Sequence, residues 1–100
     1  MKNYVSLNDL QRLFDEPLAI SIYNLAANIC NDKKHAWGTV KWKDKTQERR
    51  IRHYNIQEIV DAMRRHDPET YHPRSSAPSE WRNRVDYCIA VLEKEMETDD

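Results

Sequence analysis

Trp37-Gly38-Thr39-Val40-Lys41-Trp42-Lys43 and Arg49-Arg50-Ile51-Arg52-His53-Tyr54 are where the apolar spacing of this chain turns from helical to alternating. Both stretches are rich in β-branched and aromatic residues, the composition of half-buried strands. The polar Asp44-Lys45-Thr46-Gln47 between them reads as a hairpin turn, but it lacks the Asn-Gly pair that would pin the register. In the simplest register Lys43 faces Glu48. Val40 then lies opposite Ile51 and Trp42 opposite Arg49, on a buried face beside Ile59 and Met63. Lys41 opposite Arg50, Thr39 opposite Arg52 and Trp37 opposite Tyr54 make the other face.

Helical spacing flanks the hairpin on both sides. Upstream, Ser6 with Asp9 reads as a capping-box variant, and Leu7, Leu10, Leu13 and Phe14 share one face of a first helix. Asp15-Glu16-Pro17 ends it and opens a second, in which Leu18, Ile22, Leu25, Ala26 and Ile29 form the buried stripe. Downstream, Asn55 caps a third helix, Glu58 completes the box, and Ile56, Ile59, Val60 and Met63 are its apolar face. Asp67-Pro68 closes that helix, and residues 67–78 hold three of the four prolines, an irregular loop. A fourth helix is expected from about Ser79 to Glu97, with Trp81, Val85, Cys88, Ile89, Leu92 and Met96 inward and an acidic, frayed tail over 97–100. The expected fold is therefore a small α+β single domain over residues 1–100, in the order α-α-β-β-α-α, with an antiparallel hairpin packed against four helices.

Composition narrows the function classes. At 100 residues the chain is one domain's worth, with 39% apolar and 33% charged residues. A single glycine, Gly38, excludes every glycine-rich phosphate loop. No apolar run approaches the ~18 residues of a membrane span, and the start, MKNYVSLNDLQ, has no apolar segment of a signal peptide. Cys30 and Cys88 make no disulfide framework, so a reducing, cytoplasmic setting is expected. The net charge of −1 conceals a segregation: residues 33–53 carry eight basic groups against Asp44 and Glu48, a net +6, whereas residues 54–100 carry a net −5.

The outer face of the hairpin is the candidate binding site, formed by Trp37, Lys41, Lys43, Arg50, Arg52 and Tyr54. Like charges set opposite one another on neighbouring strands weaken a sheet, so such a face makes sense when an anion covers it. Phosphates neutralised by cations with bases stacked on aromatics would suit, and so would an acidic protein surface. Alternatively Glu93 or Glu97 from the last helix lies over it, or the cations merely blunt sheet edges. The last helix resembles a recognition helix, with Arg74, Arg82 and Arg84 for phosphates, but the connection over 67–78 is far longer than the ~3–4 residues that motif uses. Cys30, His35, Cys88, His66 and His72 show no paired ligand spacing, so no metal and no cofactor are expected. His35 and His53 as acid and base, with Lys41 or Arg52 on a phosphate, would stand about three residues apart in this register, and no catalytic residue is assigned.

Small size, no catalytic motif, a single glycine, mixed charge patches and no export signal together make the chain similar to proteins that phages and mobile elements direct against host defences, the anti-CRISPR proteins in particular. The likeness is one of general profile over the whole chain and carries no functional residue across. It implies a non-enzymatic, stoichiometric inhibitor that binds a Cas protein or a Cas–crRNA surveillance complex and blocks target DNA. The acidic block 86–100 would compete for a basic nucleic-acid groove while the hairpin docks elsewhere. The alternative is a small DNA- or RNA-binding regulator using the basic hairpin or the last helix. No membrane partner is expected.

Overall fold

Three of the helices begin where a short polar side chain, Ser6, Asp15 or Asn55, accepts from a backbone N–H of the first turn, whereas the last starts at Arg84 without a side-chain cap. A computed structural model describes residues 2–65 and 80–98 of the chain, without the side chain of Trp42. Strand β1 (Tyr4–Val5) is followed by α1 (Leu7–Leu13), whose cap is the full reciprocal box: the Ser6 hydroxyl accepts from the Asp9 N–H, and the Asp9 carboxylate accepts from the Ser6 N–H. Asp15 caps α2 (Glu16–Ile29) by accepting from the Leu18 N–H, with Pro17 in the first turn. Strands β2 (Lys33–Trp42) and β3 (Lys45–Asn55) form the hairpin, and α3 (Ile56–Arg65) follows without a break. A 3₁₀ segment (Glu80–Arg84) leads into α4 (Val85–Met96). The fold is α+β with four helices and the hairpin between them. The loop 67–78, the start of the last helix at Ser79 and the end of the tail lie outside the described residues.

The helices enclose the core. Leu10, Leu18, Ile22, Leu25, Ile56, Ile59, Met63, Trp81, Cys88 and Leu92 are all essentially inaccessible to solvent. α2 packs against α1, α3 and the 3₁₀ segment, and α3 packs against α4. Among the described residues no helix is long and apolar enough to cross a membrane.

The sheet has three antiparallel strands in the order β1-β3-β2. β1, which the alternation rule is too coarse to find in two residues, pairs Tyr4 with Asn55 and Val5 with Tyr54 at the foot of the hairpin. The hairpin is joined to the helical body there. Asn55 is the joint: its Oδ1 accepts from the Glu58 N–H, capping α3, and its Nδ2 donates to Asp32. The Glu58 carboxylate does not close the expected box on Asn55 but accepts from the Asp32 N–H, while the Tyr4 hydroxyl donates to the Asp32 carboxylate. Beyond this knot the ribbon stands clear of the helices, and every described side chain from Lys41 to Arg50 is exposed.

Two expectations about the hairpin are corrected. Its turn is Lys43-Asp44, with φ of 46° and 60°, so Lys45-Thr46-Gln47 belong to β3. Trp42 consequently pairs with Lys45, Ala36 with Ile51, Trp37 with Arg50 and His35 with Arg52. Each expected face keeps its members, because the register slips by an even number of residues. The pairs differ in a physically sensible way: Lys41 meets Thr46 rather than Arg50, Thr39 meets Glu48, and Trp37 gains a cation opposite. The second correction concerns burial. Val40 and Ile51 do share a face but are only half-buried, far from the status of Ile59 and Met63, since no helix covers that face. The side chain of Trp42, expected beside them, lies outside the described residues. A Cβ at Gly38 would press on the δ-methyl of Ile51 on the neighbouring strand, which would have to shift.

Candidate functional site

The distal hairpin is an arm of alternating side chains with no apolar layer under either face, so its surface is chemistry available to a partner. One face carries Lys33, His35, Trp37 and Lys41 from β2 with Arg50 and Arg52 from β3. Lys34, Lys45 and Arg49 lie on the opposite face. Trp37 is 74% exposed, the most exposed large apolar side chain described, and sits directly across from Arg50.

Charge pairing differs sharply between body and arm. On the body, Arg64 pairs with Glu93 at 2.9 Å and Arg84 with Asp15 at 2.9 Å. Lys2 and Arg12 meet at the buried Glu95 carboxylate, at 2.9 and 2.7 Å. Burial alone would raise that carboxyl, but the hydrogen bonds from Lys2 and Arg12 outweigh it and hold Glu95 below the usual carboxylate range. On the arm, none of Lys33, Lys34, Lys41, Lys45, Arg49, Arg50 and Arg52 pairs with a described carboxylate. Glu93 pairs with Arg64 rather than with the hairpin, and Glu95 is buried, so two of the described carboxylates of the acidic block are already engaged on the body.

Of the six expected binding residues, five lie on the arm and one does not. Trp37, Lys41, Arg50 and Arg52 are exposed on a common face, and Lys43 sits in the turn at its tip. Tyr54 is corrected to a core residue: it pairs with Val5 at the foot of the arm, is 1% exposed, and sets its ring edge-on to Tyr23 at 5.5 Å. Its hydroxyl still reaches outward to accept from Arg52 at 3.3 Å. Its burial comes from the cover at the foot of the arm, Val5 on β1 and Tyr23 on α2, and its cross-strand partner is Lys33 rather than Trp37.

The weaker candidates resolve differently. His35 and His53 occupy adjacent rungs but opposite faces, because His35 pairs with Arg52 and His53 with Lys34, so they do not converge on one substrate. Arg82 stacks on Trp81 and Arg84 is held by Asp15, whereas Arg74, His66 and His72 lie outside the described residues. Burial pushes the Cys30 thiol up to about 12 and the Cys88 thiol up to about 11, values of inert thiols in a core. Among the described residues no group of three or more His, Cys, Asp or Glu side chains is placed to hold a metal ion.

One feature had no signal in the alternation pattern. A cleft of about 420 Å³ opens between the uncovered edge of β3 and the helices α1 and α2. Arg49, Arg50, Arg52 and His35 line it together with Leu7, Tyr23, Val40 and Ile51, and no carboxylate does. The run Arg49-Arg50-x-Arg52 marks it in the sequence, but its helical wall depends on tertiary packing.

No protein family, no curated protein and no solved structure matches the chain.

Proposed function

We propose that the chain is a non-enzymatic binding protein that acts by occupying a site on a cytoplasmic partner protein, with the hairpin arm as its docking element. The observation that carries this is Trp37, 74% exposed on a ribbon where Lys41, Arg49, Arg50 and Arg52 pair with no described carboxylate. Holding a large aromatic in water is unfavourable by roughly 1.5–3 kcal/mol relative to burial, and an exposed Trp beside Arg is the usual composition of an interface anchor. In the class its profile resembles, that action is anti-CRISPR inhibition, with a Cas surveillance complex kept from its target DNA. Expression in cells that carry an active CRISPR–Cas system should then restore phage plaquing, and Trp37→Ala should abolish the effect. Capture from a bacterial lysate should survive nuclease treatment. Capture lost to nuclease, with Trp37→Ala behaving as wild type, overturns the protein-partner reading.

The cations on both faces of the ribbon favour a second reading, a small DNA- or RNA-binding regulator. A two-stranded ribbon fits the major groove, where phosphates flank it on both sides. Under this reading affinity falls steeply with salt, and the double variant Arg50→Glu with Arg52→Glu loses far more than Trp37→Ala.

A further inference from the structure

We infer that the cleft beside β3 is a binding site for nucleoside phosphates, entered by a single strand of nucleic acid. The inference goes beyond the docking role of the arm and does not rest on it, since Trp37 does not line the cleft.

Three guanidiniums, from Arg49, Arg50 and Arg52, border the opening, and His35 stands directly across from Arg52. None of the three is matched by a described carboxylate, and none of the lining residues is acidic. Arg49 is oriented by Gln47, to whose Oε1 its Nε donates at 3.1 Å, and Arg52 by the Tyr54 hydroxyl. Planar, oriented guanidinium groups without a described carboxylate beside them match phosphate oxygens in geometry as well as charge.

The other wall, from Leu7, Asn8 and Tyr23, carries no charge and is largely apolar. Leu7 and the half-buried Tyr23 supply apolar and aromatic surface opposite the arginines. A bare phosphate ion has no use for such a wall, and an acidic peptide offers no flat ring to lie on it. A base attached to its phosphate uses both, through stacking on an aromatic or a guanidinium plane. The volume of about 420 Å³ is within the range of small-ligand sites. A strand is favoured over a free nucleotide because Lys41, exposed on the face that Arg50 and Arg52 share and paired with no described carboxylate, continues the row of cations beyond the cleft toward the tip.

The test is fluorescence anisotropy of the full chain with short fluorescein-labelled oligouridylate and oligothymidylate. Wild type should bind, and Arg49→Gln and Arg52→Gln should each weaken binding by about tenfold or more. Each should also flatten the log–log salt slope by about 0.7, the contribution of one phosphate contact on a single strand. Arg64→Gln, an exposed cation of the body, should change neither reading, and Trp37→Ala should leave strand affinity within about twofold. That last variant keeps this site separate from the docking reading, which it disables. Competition by uridine monophosphate at strand-like concentrations supports the site with a free nucleotide as its source, and failure of the mononucleotide to compete supports the strand. The inference is overturned if wild type binds neither, if both glutamine variants bind as wild type, or if polyglutamate displaces the probe as well as unlabelled strand does.

Discussion

Glu95 is the residue on which the ends of the chain are joined. It lies buried on α4 and receives Lys2 from before β1 and Arg12 from α1, with Asp9 also 3.3 Å from Lys2. Leaving two cations around a neutral side chain costs more than losing a surface pair, but Arg12 is more than half exposed and its share is screened. Glu95→Gln should therefore lower stability in urea by about 1–2 kcal/mol at neutral pH. The pH dependence has a definite sign. Glu95 and Asp9 are both held below their ordinary values of 4.5 and 3.8, so their contribution is present above those values and is lost as pH falls through them toward the folded-state values. Lys2 is held above its ordinary 10.5, since its carboxylate partners outweigh its burial, so its contribution is lost only as pH rises through that raised value. The gap between wild type and Glu95→Gln should close in acid. A gap that persists unchanged there would mean that the glutamine disturbs packing rather than charge.

The hairpin is held at its foot and unsupported along its length, so its own turn matters more than usual. Lys43 and Asp44 both occupy the left-handed region, which costs a residue with a Cβ up to about 1–2 kcal/mol and glycine almost nothing. Lys43→Asn combined with Asp44→Gly should stabilise the ribbon by about 1 kcal/mol. Slower amide hydrogen exchange along the β2–β3 ladder is the expected result, with the helical core unchanged. Unaltered exchange at the ladder would mean that opening begins at the Asn55 foot instead. The same turn explains what could be read in advance at this level. Alternation assigned Val40 and Ile51 to one face and Trp37, Lys41, Arg50 and Arg52 to the other correctly, because side-chain direction follows from strand conformation alone. It could not choose among even slips, which leave the faces intact and change only the partners. Without an Asn-Gly pair to mark it, the two-residue Lys43-Asp44 turn, which fixes the register, had no local signal.

At the scale of the molecule, the helices were legible because their caps and stripes are local: Ser6 with Asp9, Asp15, and Asn55 each mark a start that the structure keeps. The candidate site was legible in part. Its cations are contiguous in sequence, whereas the burial of Tyr54 and the cleft wall at Tyr23 arise from helices packed against the foot of the sheet. The arm's freedom from the core also makes the chain divisible. Trypsin should cut first among the described residues between Lys41 and Arg50, where its preferred side chains are all exposed. The pieces on either side carry α1 with α2 and α3 with α4, and they share one apolar interior. Lys2 donates its backbone N–H to Met96, and Ile56 donates to Asn3, so the first piece is also hydrogen-bonded to the second at both ends. The nicked protein should run as two bands under denaturing conditions and as one particle in gel filtration. The same two halves, expressed as separate polypeptides, should find each other and complement, with the severed arm as the place to attach a split reporter.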